Sequence, residues 1–119
     1  FDLGLRCLAL AFNENSYYGC GYASQVDTGL TSLGRKAIKR MNQLGIVIDL
    51  SHSGDRTAME AIGASEQPVI FSHSTSRTLF NRPRSPPDPL IVGAAKKGGV
   101  ICQDVRANTS VVEYADWID

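Results

Sequence analysis

Histidine and cysteine are scarce in this chain of 119 residues, which holds two of the first and three of the second, and neither sign of charge prevails. The 12 Lys and Arg residues balance the 12 Asp and Glu residues. Surfaces that bind nucleic acid or anionic lipid usually leave a basic excess or a basic run, so this balance argues against both partners. Apolar stretches stop at strand length, well short of the roughly 20 residues that cross a bilayer, and no membrane segment is expected. Cys7, Cys20 and Cys102 are odd in number, far apart and outside any C-x-x-C spacing. That pattern argues against a disulfide framework or a thiolate zinc site and reads as small buried or half-buried thiols in a reducing compartment. The chain opens Phe1-Asp2-Leu3 with no initiator Met and closes on Trp117-Ile118-Asp119 in what reads as mid-helix, so it is expected to be an excerpt.

What is present is ordinary globular composition, 43% hydrophobic and 20% charged, enough for one domain with a core. Gly4 to Phe12 forms a compact apolar run, a candidate strand, followed by a turn-rich aromatic loop. From Thr31 the pattern becomes helical, with Leu33, Ala37, Met41 and Leu44 as the expected apolar stripe and Gly45 at the C-terminal stop. Ile46 to Leu50 is the next strand. Asp55 is placed to cap a second helix carrying Ala58, Met59 and Ile62, and Pro68 opens the strand Val69 to Ser72. A long loop, Ser74 to Pro87, leads to Asp88-Pro89, read as an N-cap followed by proline at the first helical position. That helix should run to about Lys97, Gly98-Gly99 should release the chain into the strand Val100 to Gln103, and Ser110 to Glu113 has the spacing of a capping box that opens a last helix.

Four βα units in a row, with near-continuous apolar strands, predict an α/β fold with a parallel sheet. Right-handed crossovers place every strand's C-terminal end on one rim, where ligands bind in both a (β/α)₈ barrel and an open doubly wound sheet. Both histidines fall on that rim, in Val47-Ile48-Asp49-Leu50-Ser51-His52 and Val69-Ile70-Phe71-Ser72-His73. They sit about one unit apart, so their strands should be neighbours at roughly 4.8 Å, and two imidazoles there can reach one metal at roughly 2.0–2.1 Å. A lone strand-end histidine is more simply a polar residue bonded to a loop carbonyl; two at equivalent positions favour the ligand reading. Asp49, Asp55 and Asp104 are the nearby carboxylates. Asp55 is better explained as a cap, Asp49 should lie on the opposite strand face from His52, and Asp104 is left as the local candidate for a further ligand.

At these residues the chain resembles a known family. Gly29-Leu30-Thr31-Ser32-Leu33-Gly34-Arg35, Met41 through His52, Pro68-Val69-Ile70-Phe71-Ser72-His73-Ser74, and Arg82-Pro83-Arg84 followed by Gly98-Gly99-Val100 look like the renal or membrane dipeptidases, peptidase M19 of the amidohydrolase superfamily. The resemblance runs from about Gly4 to the end. It implies a (β/α)₈ TIM-type barrel, of which residues 1–119 would be a central part of about four βα units, incomplete at both ends. It also implies two zinc ions per intact site, with His52 and His73 as the two histidines on the second zinc. Arg84 corresponds to the arginine that holds the C-terminal carboxylate of a dipeptide substrate, a task suited to a bidentate guanidinium. Read without the resemblance, Arg84 is a solvated loop arginine.

The implied chemistry is metal-dependent hydrolysis of the dipeptide amide bond by a metal-activated hydroxide, with Arg84 orienting the substrate. A homodimer is compatible with it. Three departures stand out. The family's first-strand His-x-Asp, its bridging glutamate and its eighth-strand aspartate have no counterpart here, so this chain alone is expected to be inactive. Phe12 stands where the animal enzymes carry a histidine that polarises the scissile carbonyl, and Ser85 follows Arg84 in place of Asn, which should loosen the arginine. Two other readings stay open: an amidohydrolase-type hydrolase acting on an N-acyl amino acid or a lactone, and a catalytically incomplete barrel fragment.

Overall fold

Each apolar run of the sequence becomes a short strand, and the four strands lie side by side in chain order. The structure, a computed structural model, describes residues 1–104. Strands β1 (Cys7–Ala9), β2 (Val47–Asp49), β3 (Val69–Phe71) and β4 (Val100–Ile101) alternate with helices α1 (Ser32–Leu44), α2 (Asp55–Ala64) and α3 (Asp88–Lys96). The sheet order is β1-β2-β3-β4, and every pairing is parallel. Unreversed order gives no switch point of the doubly wound kind, so the sheet is built like successive staves of a barrel. The last helix expected from Ser110 lies outside the described residues.

The pairing register sorts the strand residues onto two faces. Ile48 is paired with Val69 and Phe71 with Ile101, and Ile48, Val69 and Phe71 are at most 2% exposed. This face carries the helices, which pack in sequence, α1 on α2 and α2 on α3. Ile38 and Met41 of α1, Ala58, Ala61 and Ile62 of α2, and Leu90 and Ala94 of α3 close the core over it. The other face presents Cys7, Val47 and Val100, all exposed among the described residues. Strands covered on both faces were expected; here the helices cover one. Of the three thiols only Cys20 is buried, and Cys7 and Cys102 are exposed.

Several local expectations shift by a residue or two. The stripe of α1 is Gly34, Ile38 and Met41, with Leu33 exposed and Ala37 half-buried, because the helix starts at Ser32 behind the cap Thr31, whose Oγ1 accepts the Gly34 N–H at 2.9 Å. On α2, Met59 is exposed while Ala58 and Ile62 are buried as expected. The strands are shorter than the apolar runs, since pairing stops where the rim loops diverge.

Neither Asp55 nor Asp88 is an N-cap. The caps are Gly54 and Pro87, and each aspartate occupies the first helical residue, where it suits the positive end of the helix dipole. The capping of α2 comes from a distant loop. Asp27 Oδ2 accepts the N–H of Arg56 at 2.7 Å and of Thr57 at 3.1 Å, and Oδ1 accepts the Thr57 hydroxyl at 2.8 Å. Gly54 permits this approach: a Cβ there would stand 2.3 Å from Asp27 Oδ2. Burial opposes the Asp27 charge, but the bonds from Thr57, Gly29 and Arg56 outweigh it and hold the carboxyl below its ordinary 3.8. This contribution to stability is therefore complete above that value and fades as the pH falls toward the folded-state pKa. Asp27→Ala is expected to cost about 1–2 kcal/mol at neutral pH, as loss of a helix cap does. A urea denaturation midpoint equal to that of the wild type would refute the assignment.

Candidate functional site

The rim at the C-terminal strand ends carries an open cleft of about 570 Å³, lined among others by Phe12, Asn13, Tyr22, His52, Arg84 and Asp104. His52 lies just beyond β2 and His73 just beyond β3. Their Nε2 atoms are 3.0 Å apart and their ring centroids 5.0 Å apart. His52 adopts φ 69°, the left-handed region that a residue with a Cβ rarely enters. Its backbone carbonyl accepts the Tyr22 N–H at 2.9 Å, and the neighbouring Ser53 bridges to Gly21, so the aromatic loop after β1 holds the turn. Phe12 stacks on the imidazole at 4.5 Å with the planes 25° apart.

Hydrogen-bond partners fix both tautomers. Asn13 Oδ1 is an acceptor 2.9 Å from His52 Nδ1, so that nitrogen carries the proton. Ser72 Oγ is 2.7 Å from His73 Nδ1 and gives its own proton to the Asp49 carboxylate, so it accepts from His73 Nδ1–H. Both lone pairs then sit on the facing Nε2 atoms. Two acceptors at that distance repel unless a cation lies between them. Two nitrogens bound to one ion at roughly 2.0–2.1 Å, about 90–110° apart, would be separated by about 2.8–3.4 Å, a range that includes the observed distance. The donor set thus fits a metal, with an outer partner on each Nδ1 as metal-binding histidines usually have. Burial, then the charges of Arg84 and His73, push His52 below its ordinary pKa and favour the neutral, ligating form.

The carboxylates are disposed differently from expectation. Among the described residues no three His, Cys, Asp or Glu side chains group closely enough to hold an ion. Asp55 makes a two-pronged pair with Arg77, at 2.7 and 2.8 Å. Asp104, expected as a further ligand, is on the cleft but places Oδ2 2.7 Å from Arg84 Nη1. Asp49 does sit on the strand face opposite the buried Ile48, yet it reaches His73 through Ser72. Strict alternation ends with the strand, so parity could not predict this.

Arg84 is not a solvated loop residue: its side chain is 18% exposed, and Nη2 donates to the His73 carbonyl at 3.0 Å. Its Nε is buried with no partner among the described residues. The loosening expected from Ser85 is countered by Arg77, which sequence reasoning did not single out. Arg77 Nε donates to the Ser85 carbonyl at 2.8 Å and Nη2 to the Pro83 carbonyl at 3.3 Å, so the backbone on both sides of Arg84 is tied to the Asp55–Arg77 pair at the start of α2. Asn13, Tyr22 and Ser72 were also missed, being ordinary loop or strand-end residues with no distinguishing spacing.

Comparison with known proteins gives a consistent picture. The family model described as membrane dipeptidase, peptidase family M19, matches residues 1–116. Dipeptidase 3 of Rattus norvegicus is 35% identical over 107 residues, covering 85% of this chain and 22% of the relative. An uncharacterized dipeptidase of Schizosaccharomyces pombe is 32% identical over 103 residues, covering 85% and 25%. Among solved structures, an amidohydrolase from Pseudomonas aeruginosa superposes with a TM-score of 0.90 at 31% identity, covering 98% of this chain and 38% of that one. A metallo peptidase from Rhodobacter sphaeroides, liganded with a phosphinate mimic of L-Ala-D-Ala, has a TM-score of 0.87 at 20% identity and shares the fold. The chain spans about a quarter of the length of the curated relatives it matches.

Proposed function

The chain belongs to the membrane dipeptidase family, peptidase family M19, and from that membership we propose that it is the central part of a single (β/α)₈ barrel that, when intact, hydrolyses the amide bond of dipeptides with a bound divalent metal, zinc first among them. The observation that carries the reading is the convergence of two histidine Nε2 atoms 3.0 Å apart on a cleft that also holds Arg84. His52 and His73 would hold one ion of a pair, the remaining ligands coming from outside this chain. A zinc ion bound there supplies Lewis acidity and lowers the pKa of water to near 7.

The chain's own residues have distinct tasks. Asn13 and Ser72 keep the imidazole protons on Nδ1, leaving the facing nitrogens as donors to the metal. Phe12, 68% exposed, forms an apolar wall stacked on His52. A phenyl ring there cannot donate a hydrogen bond to a developing oxyanion, so Phe12 contributes no electrophile and polarisation of the carbonyl would have to come from the ion that His52 and His73 would hold. Arg84 would bind the substrate's C-terminal carboxylate and place the scissile bond near the histidine pair.

The test uses the full-length protein and an unblocked dipeptide, with product amino acids measured by chromatography. Hydrolysis should cease after exhaustive chelation and return on addition of zinc. Undiminished turnover by protein shown to be metal-free would refute the proposal, and faster turnover of an N-acyl amino acid or lactone would reassign the substrate.

A further inference from the structure

His52 and His73 are held by unlike devices. His52 Nδ1 meets a loop amide, whereas His73 Nδ1 meets a hydroxyl that is itself bonded to a buried carboxylate on the neighbouring strand. That carboxylate is Asp49, 7% exposed, which has no task in the hydrolysis proposed above. Its Oδ1 accepts two backbone N–H groups, from Ser51 at 2.9 Å and Ser72 at 3.1 Å, and its Oδ2 accepts the Ser72 hydroxyl. Burial works against the charge, but the hydrogen bonds, that of the Ser72 side chain foremost, outweigh it and hold the carboxyl below its ordinary value.

An ionised carboxylate has no proton to give, and this sets the direction of the whole chain. Ser72 O–H must donate to Asp49, so the Ser72 oxygen must accept from His73 Nδ1–H, and the His73 lone pair is left on Nε2. Ser51 completes the frame: its Oγ accepts the His73 backbone N–H at 3.1 Å and lies 3.4 Å from Ser72 Oγ. Of the two N–H bonds on Oδ1, that from Ser72 ties β2 to β3, and a neutral amide oxygen could still accept it, though more weakly than a carboxylate. The bond on Oδ2 is the one whose direction an amide nitrogen would reverse.

We propose that Asp49, acting through Ser72, is a positioning residue that fixes His73 in the Nδ1–H tautomer with Nε2 free to take a cation. The proposal rests on the reading of His52 and His73 as a metal-binding pair. Outer hydrogen bonds of this kind orient a ligating imidazole and raise its basicity, and their loss weakens metal binding about 10- to 100-fold.

Asp49→Asn separates this role from a merely structural one. The amide keeps an oxygen for the two N–H groups but presents an NH₂ to Ser72. The serine oxygen then accepts, its proton turns toward His73 Nδ1, and the imidazole must carry its own proton on Nε2. In nitrogen–proton correlation spectra of the full-length protein stripped of metal, His73 should switch from Nδ1–H to Nε2–H while His52 keeps its tautomer. Zinc affinity, measured by competition with a chelator, should fall about 10- to 100-fold. Ser72→Ala should weaken zinc binding similarly while leaving the two N–H bonds to Asp49, and Ser72→Thr should restore it by returning the hydroxyl. Should Asp49→Asn fail to fold, the Ser72 pair carries the test. An unchanged His73 tautomer in Asp49→Asn, or zinc affinity within about twofold of wild type in both Asp49→Asn and Ser72→Ala, would overturn the proposal. Failure of the metal reading looks different: wild-type protein would bind no zinc at the pair while Asp49→Asn still switched the tautomer, which upholds the relay.

Discussion

Replacing His52 and His73 together by alanine in the full-length protein is expected to remove about half of the bound metal and to lower kcat/KM for dipeptides by at least about a thousandfold. The physical reason is the geometry of the pair. Its two Nε2 atoms are 3.0 Å apart, and each Nδ1 proton is committed to a separate acceptor, so alanine at both positions would remove both donors proposed for one ion and leave any second ion its own ligands. If the intact site holds two ions as proposed, loss of one would forfeit part of the water activation and of the charge stabilisation, each worth several kcal/mol. Metal content by atomic emission and kinetics on the same preparation check both halves. Unchanged stoichiometry with unchanged activity would mean that the pair is a hydrogen-bonded strand-end contact. Loss of activity with full metal content would instead make the histidines groups that act on substrate.

The order of elements, the parallel sheet and the common rim were all legible because they rest on repeated local signals: apolar runs of strand length, a helical stripe, Gly45 at a helix stop. Side-chain detail was less so, because caps are chosen by space as much as by residue type. Asp55 has the chemistry of a cap, yet Gly54 occupies that position and Asp27 reaches in from a loop 30 residues upstream of Thr57. No local pattern encodes a bond over that separation. Leu33 fell off the buried stripe of α1 for a related reason: the helix phase is set by Gly34, where a Cβ would stand 2.0 Å from the Tyr18 carbonyl, so Gly34 faces the aromatic loop and Leu33 turns to solvent.

The candidate site divides in the same way. His52 and His73 were found because equivalent placement on consecutive units is a pattern in the chain, and their contact follows from pairing β2 with β3. Asn13, Ser72 and Arg77 act by meeting groups brought near by the fold, and a polar residue in a loop carries no mark of its partner. Asp49 was set aside on strand parity, which holds only while the backbone stays extended; His52 leaves that conformation at φ 69°.

Arg84→Ala in the full-length protein should reduce kcat/KM for free dipeptides about 10- to 100-fold more than for C-terminally amidated ones, because a charge-assisted pair to a carboxylate is worth about 1.5–3 kcal/mol and an amide has no charge to lose. The structure sharpens the expectation. Arg84 is anchored by Nη1 on Asp104 and Nη2 on the His73 carbonyl, which leaves one further N–H on each terminal nitrogen for other acceptors. The anchoring fixes the guanidinium against the strand end that carries His73, so a bound carboxylate would be held at a set distance from the histidine pair. Removing the guanidinium also takes the Arg84 cation away from the Asp104 carboxylate on the cleft, which would weaken the site's hold on the carboxylate end of a free dipeptide. Arg84→Ala/Asp104→Asn is therefore expected to recover part of the loss on free dipeptides and none on amidated ones. Lysine should be a partial replacement, since it keeps the charge but cannot make a two-pronged contact. Equal losses on both substrate types would show that Arg84 serves only to bind the loop to the strand ends.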